Sequence, residues 1–316
     1  MRGKETAMKK TCFVIIAVAL CTLPLLSAST PGEVFASPEK AVEAFVGAVR
    51  NFNYDRLIAI FGPESDRLFK TNDPTADQNL RTAFINLYDK KHAIVNQTDG
   101  SKVLVVGPDK WPFPVPLTKS GSGWAFDSPA GFEEIINRRI GRDELAAIQT
   151  ILAIGDAERD YYRRNPEGNA LLAYTDKFRS TQGKKDGLYW QAKPGEPQSP
   201  LGEFVADAAD EGYTKESTTY YGYKYRLLKS QGPHAPGGAY DYVAHDKLIG
   251  GFAVLAYPAA YGDSGIMTFM VSHSGIVYQR DLGEKTAELA EKITTFDPGD
   301  GWTKVAGSDL KPIPVD

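Results

Sequence analysis

The sequence predicts an α+β protein built as two units behind an apolar leader. Three observations carry that reading. Apolar residues recur at three- and four-residue steps over 38–61 and again over 143–164, a set of short extended runs follows each of these helical stretches, and the first 36 residues differ in texture from all that follows. The expected architecture is N-terminal helices plus a small antiparallel sheet, then a long helix packed on an antiparallel meander.

Lys9 and Lys10 precede the apolar stretch "TCFVIIAVALCTLPLLSA", and "EVFA" places small residues, Val34 and Ala36, before Ser37. Residues 1–36 therefore read as a secretory signal peptide, with Met8 as well as Met1 placed to start it. Pro24 breaks the run and "STPGE" ends it, so no membrane span is expected after cleavage. Both cysteines, Cys12 and Cys21, lie in this leader, which excludes disulfides, thiol nucleophiles and cysteine metal sites from the rest. The chain has 36 basic and 40 acidic residues; without the leader's four basic and two acidic ones the balance is 32 to 38, a net charge of −6. With no basic run, nucleic acid is not an expected partner.

The first unit, 37–130, opens with Ser37 as N-cap and Pro38 at N1, ahead of Ala41, Val42, Phe45, Val46 and Val49 at helical spacing. A short helix through Leu57, Ile60 and Phe61 stops at Gly62-Pro63, and a third, "ADQNLRTAFINLYDKKHAI", carries Leu80, Phe84 and Leu87 on one face. The period then changes: "KVLVVG", "PFPVPLTK" and "WAFDS" predict a small antiparallel sheet. This order resembles that of cystatin-like cone folds.

The second unit, 131–316, begins with helical "PAGFEEIINRRIG" and, after Gly141, the longest helical pattern of the chain, ended by "NPEGN". A long connection follows, with one short helix around "PLGEFVADAADEG". The runs "YYGYKYRLLKS", "GGAYDYVAH", "LIGGFAVLAYP", "GIMTFMVS" and "GIVYQRDL" predict the meander, and "EKTAELAEKIT" a last helix.

From 142 to 283 the succession "ELAAIQTILAIGDAERDYYRR", "LLAYTDKF", "GYKYRLLKS" and "MTFMVSHSGIVYQRDLG" resembles the periplasmic part of type IV pilins and type II secretion pseudopilins. That resemblance implies a helix laid on an antiparallel sheet. A pilin polymerises through an apolar helix directly after its leader; here a whole unit comes first and the helix at 143–164 is charged, so a pilus built by that route is not expected. The runs "GPDKWPFPVPL", "INRRIGRDELAAIQT", "KPGEPQSPLG", "PGGAYDYV" and "GIMTFMV" are similar to an uncharacterised family of secreted bacterial proteins, domain of unknown function 2950. This second resemblance brings no catalytic residues with it.

"GDSG" around Ser264 has the texture of a serine-protease nucleophile, with His273 nine residues on, but residue 266 is Ile and His92 has no matching context, so Ser264 reads as a turn residue. His234 and His245, with Asp241 and Asp246, flank one stretch and read as hairpin ends and not as metal ligands. Asp297 and Asp300 lack the alternating carboxylates of a calcium loop, and Asn96 lies in a sequon. "KKDG" and "NRRIGR" read as solvated faces. The aromatic residues offer the candidate ligand surface: Trp111, Tyr189, Trp190, and Tyr221, Tyr223 and Tyr225 on one strand face, with His273 at a hairpin corner. No catalytic, cofactor or metal residues are expected. The expected function is a secreted or periplasmic binding module for an envelope protein or glycan; the alternatives are a periplasmic hydrolase with its site between the units and a subunit that self-assembles through the tyrosine-rich strand.

Overall fold

The computed structural model describes residues 32–307 except 66–68, 70–72, 212 and 214–218; most of the predicted leader and the last nine residues lie outside the described residues. The fold is α+β. Among the described residues no helix is long and apolar enough to cross a membrane.

The first unit packs three helices, α1 (Pro38–Arg50), α2 (Tyr54–Phe61) and α3 (Pro74–Lys90), on a sheet. Each helix starts on a polar cap: Ser37, Asn53 and Asp73 accept from the backbone N–H groups of Lys40, Arg56 and Ala76. The sheet comprises β1 (His92–Asn96), β2 (Lys102–Val106), β3 (Trp111–Pro112), β4 (Leu117–Ser120) and β5 (Gly123–Phe126), in the order β1-β2-β4-β5 with β3 also on β2. The third helix was expected to run on to Ile94. It ends at Lys90, because His92–Asn96 pair antiparallel with β2, Ile94 opposite Leu104. Phe45 centres the core, its ring 4.8 to 5.7 Å from those of Phe61, Phe113, Phe84 and Phe126.

Residues 33–35, expected in the leader, belong to this unit. Phe35 is buried and exchanges backbone hydrogen bonds of 2.7 and 2.8 Å with Trp124, and Glu33 donates its N–H to Ala59 and pairs with Arg56. The fold begins before Ser37.

The boundary expected at 130/131 falls inside a helix. α4 (Ser128–Arg164) runs 37 residues without a break at Gly141. Phe132 and Ile136, near its start, join the first core; Ala147, Ile148, Ile151, Ile154, Ala157 and Tyr161 join the second. The cap is Asp127, whose carboxylate accepts from Ala130, while Ser128 donates its hydroxyl to Phe61 O at 2.6 Å.

Against the second half of α4 lies a sheet ordered β14-β13-β12-β11-β6, from β6 (Tyr223–Leu228), β11 (Ala253–Pro258), β12 (Met267–Ser272), β13 (Val277–Asp281) and β14 (Thr303–Lys304). Contacts from both α4 and α6 (Thr286–Lys292) leave β11 almost wholly buried. The run "GGAYDYVAH" was expected in this meander and is not part of it. It forms two separate ribbons, β7 (Ser230–Gln231) with β8 (Tyr240–Asp241), and β9 (Val243–Ala244) with β10 (Lys247–Leu248). His245 and Asp246, both at positive φ, make the two-residue turn between β9 and β10, a geometry that matches the twist of a tight hairpin. The short helix α5 (Gly202–Asp210) lies where the sequence placed one.

A buried polar seam joins the two units. The carboxylate of Asp73 caps α3 and also accepts from Tyr213 OH at 2.8 Å and from Gly222 N at 3.0 Å. Arg139 and Asp143, one turn apart on α4, are both buried; Arg142 grips Asp143 through two nitrogens at 3.0 and 2.7 Å. Burial nonetheless pushes the Asp143 carboxyl up to about 6. "NRRIGR" is thus not simply a solvated face.

Candidate binding site

The long connection after α4 is ordered by its own polar side chains. Asn165, left-handed at φ 46°, ends the helix, and its amide exchanges hydrogen bonds of 2.9 Å with Asn169. Glu158, fully buried on α4, accepts the Thr175 N–H at 3.1 Å with one oxygen; its other oxygen has no partner among the described residues. With so little compensation, burial pushes this carboxyl up to about 8. Asp186 gathers the next turn, accepting from Thr181 N and Oγ1 and from Lys177 Nζ at 2.6 to 2.9 Å. The Lys177 ammonium holds the Asp186 carboxyl well below the usual range.

These contacts lay Arg179 alongside Tyr189 in a parallel bridge, with Leu188 beneath them sealed in the core. Gly187 makes the approach possible: a Cβ there would sit 2.6 Å from the Arg179 carbonyl carbon and the Ser180 nitrogen. The result is a cavity of about 480 Å³ between Tyr189, Trp190 and the cations Arg179, Lys184, Lys185 and Lys193, with Glu196 as its one carboxylate. The Arg179 guanidinium lies 5.1 Å from the Tyr189 ring centre, and Lys185 Nζ 5.6 Å from that of Trp190. Both rings are half-buried, and Trp190 Nε1 is a buried donor with no acceptor among the described residues. Lys185 reaches Glu196 only at 3.4 Å, so four cations face one anion and the site keeps a net positive charge. Flat apolar faces, an unused N–H and surplus positive charge suit a ligand that is both ring-bearing and anionic.

Tyr189 and Trp190 are therefore brought together, and "KKDG" is part of their wall, which the reading of Lys184 and Lys185 as a solvated face missed. The other candidate residues lie elsewhere. Trp111 is 40% exposed on the first unit, under the Arg138 guanidinium. Tyr221, Tyr223 and Tyr225 do not share an exposed face. Tyr221 precedes β6 at φ 49°, Tyr223 is sealed in the core with its hydroxyl on Met267 O, and Tyr225 donates to Tyr220 O. With no ring surface exposed, Tyr223 offers nothing to a ligand or to a second copy. His273 packs edge-on against Tyr242, and burial lowers its pKa.

Ser264 is 1% exposed; its hydroxyl donates to Ala260 O and accepts from Ala260 N, both at 3.1 Å, closing the turn before β12. His273 follows the far end of the same strand, so the two share no site. His234 is bonded to Asp297 through both its backbone N–H and Nδ1, an arrangement that raises its pKa. Among the described residues no three His, Asp or Glu side chains gather as metal ligands.

No curated protein and no solved structure matches the chain. One family model does, over residues 32–305, and its first residue coincides with the first described residue of the fold. On that match, the chain belongs to the family described as protein of unknown function (DUF2950).

Proposed function

We propose that this is a secreted binding module of the bacterial envelope that acts without catalysis and takes an acidic glycan against Tyr189 and Trp190. The observation that carries the proposal is the placement of Arg179, Lys184, Lys185 and Lys193 around two half-buried rings. Sugar rings present C–H faces that stack on aromatic side chains, and uronic-acid carboxylates supply the charge the cations lack. Lys9, Lys10 and the apolar run that follows them support export, and α4 lying across β6, β11 and β12 supports the likeness to pilin periplasmic domains. Catalysis has little to work with at Ser264, whose hydroxyl is spent on its own turn.

The test is titration of the chain from Gly32 onward with oligogalacturonate and with the same oligosaccharide reduced to its neutral alcohols, followed by calorimetry. The acidic sugar is expected to bind at least tenfold more tightly, with the difference shrinking as salt rises. Trp190→Ala should weaken both sugars, and Lys184→Gln with Lys185→Gln only the acidic one. Equal binding of the two sugars, or binding that survives Trp190→Ala, would refute the proposal.

A further inference from the structure

The third helix of the first unit presents an apolar face that the fold does not seal. Of α3, only Ala76 is fully buried; Leu80 is 44% exposed, and Phe84 and Leu87 are half-buried. Between this face and the sheet lies a cleft of about 200 Å³. Its floor is Phe45, Val49, Leu57 and Phe113, all buried, and its outer wall is Leu80 and Trp111, the latter 40% exposed. An apolar cavity of about 150 Å³ suffices for benzene. This cleft therefore holds a six-membered ring with two or three further atoms, or a short acyl chain.

Three charged residues also line the cleft: Asp77, Arg81 and Arg139. Arg139 is buried, with Asp77, Asp143 and Asp263 near enough to favour its charge. Arg81 differs. Its Nη1 donates to the Tyr54 hydroxyl at 2.8 Å, and its guanidinium lies 5.0 Å from the Phe52 ring centre and 5.5 Å from that of Tyr54. Its Nε is buried without an acceptor among the described residues. Among the described residues this guanidinium is met by one phenol and one further ring, that of Phe52, with one buried donor unused and no ion pair.

We infer that this cleft is a second binding site, for a small monocarboxylic acid whose aryl or short acyl body lies over Phe45, Phe84 and Phe113 and whose carboxylate meets Arg81. The occupant is fixed by size and charge together. A cleft of this volume takes about six to nine carbons, and a cationic donor without an acceptor is met more strongly by a carboxylate than by a neutral amide or alcohol. The site is on a different unit from the Tyr189–Trp190 cavity and does not depend on it.

The experiment is calorimetric titration of the chain from Gly32 onward with phenylacetate and with phenylacetamide, at pH 7. Phenylacetate is expected to bind at least tenfold more tightly. Arg81→Met, which keeps an aliphatic stem and removes the guanidinium, should abolish that preference and leave the amide's weak binding alone. Leu80→Trp narrows the cleft from an already exposed position and should abolish binding of both; it carries the test if Arg81→Met fails to fold by circular dichroism. Acid and amide binding equally, no saturable binding of either at millimolar concentration, or acid binding that persists in Leu80→Trp or in folded Arg81→Met overturns the inference.

Discussion

The Tyr213 hydroxyl donates to Asp73 at 2.8 Å across 140 residues of sequence, and the same carboxylate oxygen accepts the Gly222 N–H. One side chain thus caps a helix of the first unit and satisfies two donors of the second. Asp73→Ala is expected to cost roughly 2–4 kcal/mol, the sum of a lost cap and of buried donors left unpaired. Tyr213→Phe should cost about 1–2 kcal/mol. Denaturant titration of both single variants and the double one should show coupling between them; strict additivity would mean that the seam contributes no shared energy.

Glu158 makes stability depend on pH. Its carboxyl is raised in the fold from an ordinary 4.5 to about 8, so between those values the folded chain holds more proton than the unfolded one. Stability from this group is full below about pH 4.5 and is lost as pH rises through about 8. Asp143, raised to about 6, adds a loss in the same direction over a lower range. The melting temperature should fall by several degrees from pH 5 to 8, and Glu158→Gln should remove the upper part of that fall. An unchanged profile in the variant would show that the carboxyl titrates normally.

Gly222 is fixed by both conformation and space. It has φ 67°, and a Cβ would lie 2.6 Å from Cβ of Ser264 and 3.2 Å from Oδ2 of Asp143. Gly222→Ala should therefore destabilise by at least about 2 kcal/mol, from the left-handed backbone and the collision together. Ser264→Ala loses only a local turn bond and should cost about 1 kcal/mol. A Gly222→Ala variant that melts like the parent would contradict this packing.

If the chain is exported as proposed, its cleaved N terminus should lie upstream of Glu33, because Phe35 pairs with Trp124 and Glu33 with Arg56. Intact-mass measurement of the exported protein checks this, and a chain beginning at Ser37 would argue against it.

Local rules made the helix starts legible. Ser37-Pro38 could be read directly, because a cap and the N–H it satisfies lie three residues apart. What depended on distant partners was not legible. "HAIVN" continues a helical texture and becomes β1 only because β2 is there to pair with it. Tyr221, Tyr223 and Tyr225 alternate as a strand should, yet the positive φ of Tyr221 ends the strand at Tyr223. The rings Tyr189 and Trp190 could be named in advance, but their cations could not, since Arg179 and Lys193 reach them only once Asp186 and Gly187 have folded the loop.

The unbroken α4 has a geometric consequence. At 1.5 Å per residue its 37 residues span about 55 Å, and it touches the surroundings of both proposed sites, through Arg138 over Trp111 and through Tyr161 bonded to the Lys185 carbonyl. The helix works as a ruler and a protractor at once. One residue added near Gly141 would turn one half by about 100° against the other, separating Asp73 from Tyr213 while leaving each core intact. Ligands at the two proposed sites would be held at a set distance and bearing, as on a jig and not on a hinge.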